Sequence, residues 1–409
     1  MHKPTTASLL SSVEMAPRDP ILGVTEAYNQ STHPDKINLG VGVYYDDRGK
    51  VPLLECVRQA EAELLRHPKA RSYLPIDGLA AYNNAVQNLL FDGCLALQEQ
   101  RVVTLQTAGG TGALKIGADF FKRFFPDAQV WISNPSWENH AALFESAGFT
   151  VKSYPYYDAA ANDIDFSAMR ETLEIIPSGN VVLLHACCHN PTGLDLDDSQ
   201  WGQVLDIVGR RGLIPFLDMA YQGFGDGLAA DGKVVRRFTD SGLTVFVSST
   251  FSKSFSLYSE RIGALSVAAG DRDEADRLLS QLKRTIRTNY SSPPEHGAHI
   301  VAAVLGSPSL RALWEQELAD MRERIRDTRS RLRLRLEERL PGRDFSFLTR
   351  QSGLFSYTGL SKEQVRGLRE EFAIHTIDTG RICVAAVNSG NIDYVARAIS
   401  GVIAATSGI

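Results

Sequence analysis

Cysteine is scarce in this chain. The five residues Cys56, Cys94, Cys187, Cys188 and Cys383 form neither a metal-ligand spacing nor an even disulfide framework. They read as reduced thiols, which predicts a cytoplasmic protein with no metal site. The adjacent Cys187 and Cys188 read as small buried residues at a strand end rather than as a redox pair. Long apolar runs are also missing. None approaches the ~18 residues that a membrane span needs, so no membrane partner is expected. The stretch Met1 to Pro17 has one lysine and no apolar core, which predicts no secretory leader. Positive charge is not in excess either. Forty-three Lys and Arg against 48 Asp and Glu give a formal charge of −5. That balance argues against a nucleic-acid partner, although a local cluster can still hold a small anion. Internal repeats and low-complexity segments are absent. What is present is ordinary globular material, 44% hydrophobic and 22% charged over 409 residues. Such a length predicts roughly two or three domains.

The chain alternates short apolar runs with helical spacing. Strands are expected at Arg101 to Thr107, Gln129 to Ser133, Val151 to Tyr156, Val181 to His185, Leu213 to Leu217 and Leu243 to Ser249. Alternation of that kind means an α/β fold, with a mostly parallel sheet flanked by helices. Residues 1–18 read as an N-terminal arm, the sort of segment that lies across a partner subunit. Residues 51–319 read as a large domain. Residues 19–50 and 320–409 read as a smaller α+β domain built from both chain ends. A long charged helix between Pro308 and Pro341 joins the two. Phe345 to Leu348 reads as a short strand, and Ile286 to Pro294 as an irregular loop with an exposed cation. Gly42 sits in the apolar run Ile37 to Tyr44, where glycine permits close approach of a ligand.

Chemistry-bearing residues fall at the carboxyl ends of the expected strands, where open α/β sheets bind ligands. Lys253 follows one strand, among serines and aromatics. Burial there lowers the pKa of its amine, and a neutral amine attacks an aldehyde to form a Schiff base. Arg261, eight residues on, offers a planar fork for phosphate. Ala108-Gly109-Gly110-Thr111-Gly112 turns a strand into a helix start, which favours an anion. Gly110, Thr111, Thr250, Ser252 and Arg261 can therefore share a phosphate. Asp218 can hold a pyridine nitrogen protonated. Asn190 and Tyr221 can hydrogen-bond a phenolic oxygen, and Trp137 can stack on the ring. Together these roles describe a pyridoxal-phosphate site with Lys253 as general base. Each residue alone also has a structural reading: the aspartate as a helix cap, the tryptophan as core, Asn190-Pro191 as a turn.

The motifs Gly109-Gly110-Thr111-Gly112, Asn134-Pro135-Ser136-Trp137, His189-Asn190-Pro191-Thr192-Gly193, Asp218 through Phe224, and Ser252-Lys253 through Glu260-Arg261 resemble those of the class I aminotransferases. These are fold-type I pyridoxal-phosphate enzymes, and the likeness is to their aspartate and aromatic branch. The resemblance covers nearly the whole chain and leans toward the bacterial aromatic (tyrosine) enzymes. It implies a homodimer with shared sites, in which Tyr73 reaches the neighbouring subunit's phosphate and Arg287 meets a substrate side-chain carboxylate across the interface. It implies that Arg381 clamps the α-carboxylate, and that His140 and His185 support the ring-nitrogen acid. Gly42, Trp137 and Asn190 join the substrate contacts. The implied activity is transfer of an amino group from tyrosine, phenylalanine or aspartate to 2-oxoglutarate. Two alternatives stay open: an aspartate enzyme with weak aromatic activity, and a lyase or decarboxylase on the same fold.

Overall fold

The computed structural model describes residues 8, 10–16, 21–68 and 70–407. Most of the expected arm at 1–18 lies outside the described residues. Within 10–16, Leu10, Val13 and Met15 are exposed.

Seven strands build the main sheet: β1 (Val102–Ala108), β2 (Val130–Asn134), β3 (Val151–Pro155), β4 (Val181–His185), β5 (Ile214–Met219), β6 (Val245–Thr250) and β7 (Ile262–Ala268). Their order is β1-β7-β6-β5-β4-β2-β3. β7 runs antiparallel to both of its neighbours, and the remaining pairs are parallel. The central strands are apolar without alternation because both faces are covered. In β4, Val181 and Leu183 enter one core cluster, with Phe121, Phe144, Phe216 and Phe246. Val182 and Leu184 enter the other. The parallel strands therefore end along one edge. The antiparallel start of β7 returns to that edge, where Ile262 faces Ala108 and Gly263 faces Thr250.

Helix Pro308–Arg339 has 32 residues and spans roughly 48 Å at 1.5 Å per residue. Ser307 caps Leu310 N, and Pro308 stands where its missing N–H costs nothing. Trp314, Leu318, Met321, Ile325, Leu332 and Leu336 form its buried stripe. Arg324 ties this helix to distant chain: it donates to Tyr44 Oη at 2.8 Å, Val387 O at 3.0 Å and Ala385 O at 2.7 Å. The chain ends also meet in a short parallel pair, Ile37 with Ile374 and Asn38 with His375.

Two expectations are corrected. Phe345 to Leu348 is not a strand; a helical turn occupies Phe347–Arg350. Asp344 accepts from Ser346 N at 2.7 Å, and Leu348 N and Thr349 N bond three residues back. Phe345 and Phe347 are both buried, so their spacing reflects a turn packed on two sides. Second, Ile286 to Asn289 is not loop but the end of helix Arg272–Asn289. Asp271 caps that helix through Glu274 N at 2.7 Å. Ala275, Leu282 and Ile286 bury one face, and no proline interrupts the chain before Pro293. Arg287 is therefore held by a helix, although its side chain is exposed as expected. The five cysteines are free and buried.

Candidate active site

The carboxyl edge of the sheet opens into a cavity of about 220 Å³. The β6 strand delivers Thr250, Ser252 and Lys253 to it, β5 delivers Asp218 and Tyr221, β4 leads to His185 and Asn190, and the turns after β1 and β2 bring Gly110, Thr111 and Trp137. Gly42, Arg261 and Arg381 complete the set of expected residues that line it.

Lys253 Nζ lies 4.8 Å from the Tyr221 ring centre. Burial lowers its pKa to about 8, with Asp218 opposing and Arg261 assisting. Asp218 is buried, and its Oδ2 accepts from His140 Nε2 at 3.0 Å. Burial alone pushes this carboxyl up. The His140 hydrogen bond, with the electrostatic pull of His140 and Lys253, outweighs it and holds the group below the ordinary aspartate range. Behind this pair, Ser136 Oγ bonds His140 Nδ1 at 2.9 Å and His185 Nε2 at 3.2 Å. Burial and the neighbouring His140 push His185 down to about 3, so it stays neutral. His140 thus sits behind the cavity acid, while His185 also reaches the cavity wall.

An anion cradle forms at the other end. Helix Gly109–Phe124 starts there without a side-chain cap, so its first N–H groups remain for a ligand. Gly109 has φ +70°, and a Cβ on it would stand 2.6 Å from Arg261 Nη2. Thr250 Oγ1 and Ser252 Oγ are 3.1 Å apart, and Arg261 Nη1 lies 3.5 Å from Ser252 Oγ. Helix start, two hydroxyls and a guanidinium are the donor set of a phosphate. Across the cavity Arg381 is almost completely buried. It donates to Asn190 Oδ1 at 2.9 Å and Gly40 O at 2.8 Å and stacks 4.1 Å from the Phe355 ring centre. A buried guanidinium facing a cavity suits a carboxylate.

Gly109 and His140 stand directly behind lining residues, and two expected residues lie away from the cavity of their own chain. Tyr73 is 93% exposed in a loop. Arg287 is exposed and donates to Ser291 Oγ. Sequence reasoning missed Tyr258, Phe355 and Glu138. Tyr258 lines the cavity and accepts from Tyr44 N at 2.8 Å. Phe355 lines it too, and a Cβ on Gly42 would come within 2.5 Å of its ring. Only adjacency to Lys253 and Trp137 could have drawn attention to Tyr258 and Glu138; nothing local marks Phe355. Away from the cavity, Cys187, Cys188 and Asp231 bring donor atoms within 4.8 Å of one another. The Asp231 carboxylate there already accepts from the N–H groups of Gly223, Gly225 and Asp226.

The family model for aminotransferase class I and II matches residues 34–399. The chain belongs to this family. As an aminotransferase it is similar to the aspartate aminotransferase of Pseudomonas aeruginosa, 57% identical over 97% of this chain and 100% of that one. It is 49% identical to the aromatic-amino-acid aminotransferase of Escherichia coli over the same shares. The crystal structure of an aromatic-amino-acid aminotransferase from Burkholderia pseudomallei, covalently bound to pyridoxal phosphate, superposes with a TM-score of 0.94 at 58% identity, covering 97% of this chain and all of that one. The enzyme is thus a pyridoxal-phosphate-dependent transaminase of α/β fold. The buried amine, the hydrogen-bonded carboxylate and the anion cradle around one cavity fit that cofactor. Among the described residues, no helix is long and apolar enough to cross a membrane.

Proposed function

We propose that this aminotransferase moves the amino group of tyrosine, phenylalanine or aspartate to 2-oxoglutarate. One observation carries the reading: Lys253, Asp218 and Arg381 line a single cavity. Pyridoxal phosphate bound there supplies an aldehyde that captures amines covalently and a ring that accepts the electrons of the substrate's α-carbon. Gly110, Thr111, Thr250, Ser252 and Arg261 hold its phosphate, and Gly109 leaves room for the Arg261 fork. Asp218 keeps a proton on the ring nitrogen, backed by His140 and, through Ser136, His185. Asn190 gives its carbonyl to Arg381, which leaves its amide N–H groups, with the Tyr221 hydroxyl, for the ring oxygen. Trp137 covers the ring. Lys253 Nζ takes up and returns the α-carbon proton, a task suited to an amine near pH 8. Arg381 binds the α-carboxylate, with Gly42 letting the substrate approach.

The dimer is part of the same proposal. Tyr73 and Arg287 are exposed and lie outside their own chain's cavity, so we assign them to the site of a second copy. Tyr73 there meets the phosphate, and Arg287 meets the side-chain carboxylate of aspartate or 2-oxoglutarate. We assign 51–319 to a large lobe, and 19–50 with 320–409 to a small lobe that carries Gly42, Phe355 and Arg381. The free cysteines suit a cytoplasmic setting. The 57%-identical P. aeruginosa relative, named an aspartate aminotransferase, favours a second reading with aspartate as the main donor. A lyase reading finds no such support. The deciding experiment measures kcat/KM for tyrosine, phenylalanine and aspartate with 2-oxoglutarate, and identifies the products. Glutamate must form with each donor; ammonia or CO2 release in its place overturns the proposal. Lys253→Ala must lose turnover and the absorbance of the covalently held cofactor.

A further inference from the structure

Arg381 keeps its charge in an unusual setting. Its two directed hydrogen bonds go to neutral acceptors, Asn190 Oδ1 and Gly40 O. Its Nε is buried without a partner. Among the described residues, the carboxylate paired with it is Glu138, whose Oε2 lies 3.6 Å from Nη1. That distance is beyond a hydrogen bond, and Glu138 Oε2 is itself buried with no hydrogen-bond partner. Glu138 opens helix Glu138–Ser146, directly after Trp137. Its negative charge also reaches Tyr357. A buried carboxylate oxygen without a hydrogen bond costs free energy, and here Oε2 gains a Coulombic partner alone.

We propose that Glu138 is a resident counter-ion of Arg381 that competes with the substrate's α-carboxylate and so sets KM. This rests on Arg381 being the α-carboxylate clamp. In the substrate-free cavity Glu138 balances the guanidinium charge without using its N–H donors. A substrate carboxylate forms charge-assisted hydrogen bonds with the fork and takes over the pairing. Glu138 is then left as a partly buried anion beside a second anion, which opposes binding. The Glu138 side chain is 22% exposed against 1% for Arg381, so it is the member of the pair with room to turn away. The effect concerns the α-carboxylate, so it acts alike on aromatic and dicarboxylic donors.

The test uses the cofactor-loaded enzyme and its Glu138→Gln, Glu138→Asp, Arg381→Ala and doubly substituted forms. The readouts are steady-state kinetics and equilibrium binding of 3-phenylpropionate, a carboxylate with no amino group. Glu138→Gln lowers KM for tyrosine and aspartate, and Kd for 3-phenylpropionate, by about 3- to 10-fold, while kcat stays within about twofold. Glu138→Asp keeps the charge and shifts both less. In the Arg381→Ala background the Glu138→Gln change has no further effect, because the pair no longer exists. If Arg381→Ala weakens the ligand but Glu138→Gln leaves Kd unchanged or raises it, the counter-ion role is overturned and the clamp stands. If Glu138→Asp tightens binding as much as Glu138→Gln, charge is not the cause and the role is likewise overturned. If Arg381→Ala binds 3-phenylpropionate like the unsubstituted enzyme, the clamp assignment itself has failed.

Discussion

Asp218 is an acceptor for His140 on one side and borders the cavity on the other. Asparagine at this position keeps the shape and a hydrogen-bonding group but not the charge. Asp218→Asn is expected to raise the Kd for pyridoxal phosphate by less than about tenfold and to lower kcat by more than about a hundredfold. Equal losses in both would mean that the carboxylate serves binding alone. Lys253 gives a second prediction, for the cofactor-free protein. Its folded pKa is about 8, below the ordinary 10.5. The unfolded chain therefore binds more protons between those values, and the lysine's contribution to stability rises with pH across that window. Below pH 8 the full cost of burying the amine is present. Lys253→Met should melt above the unsubstituted apoprotein at pH 7, and the gap in Tm should close as pH approaches 10.5. A gap that stays constant with pH would show that folding leaves the amine's pKa unshifted. Both residues were legible in the sequence because each stands at the end of an apolar run. Glu138 was not, since a carboxylate one residue from Trp137 acquires meaning only when Arg381 is folded against it.

Elements were legible where one physical signal dominated. The doubly covered strands announce themselves as apolar runs, and the long helix by its stripe of large apolar residues. Arg272–Asn289 did not, because most of its surface is charged and only Ala275, Leu282, Thr285 and Ile286 are buried. β7 was missed for another reason: it directly follows the Glu260-Arg261 turn, and its antiparallel return is a tertiary fact. The turn at the start of helix Gly109–Phe124 supplies this scale's prediction. Gly109 has φ +70° and Arg261 Nη2 2.6 Å from the site of a Cβ, whereas Gly93 has φ +85° and open space. Both alanine variants meet left-handed backbone strain of about 1–2 kcal/mol. Only Gly109→Ala also displaces the guanidinium. Both should lower Tm by a few degrees, but only Gly109→Ala should raise the pyridoxal phosphate Kd, by about tenfold or more. Matching Kd values for the two would remove Arg261 from the phosphate site.

For the whole molecule, a single chain holds all but two of the expected catalytic and cofactor- or substrate-binding positions around or directly behind its cavity, and the exceptions are Tyr73 and Arg287. Residues that would serve another copy stand outside the cavity of their own chain, so only the resemblance could assign them. A homodimer that exchanges such residues predicts complementation. Arg287→Ala should impair aspartate turnover far more than phenylalanine turnover, since only the first donor presents a side-chain carboxylate. Lys253→Ala should abolish both. In a hybrid of one Lys253→Ala and one Arg287→Ala subunit, one cavity has Lys253 from its own chain and Arg287 from the partner. The other cavity lacks both. Hybrids purified through two different tags should therefore recover about half of the unsubstituted aspartate activity. If each chain furnished its own Arg287, the hybrid would hold one dead site and one impaired site. Aspartate activity would then stay at or below that of the Arg287→Ala parent, and sharing of the sites would be disproved.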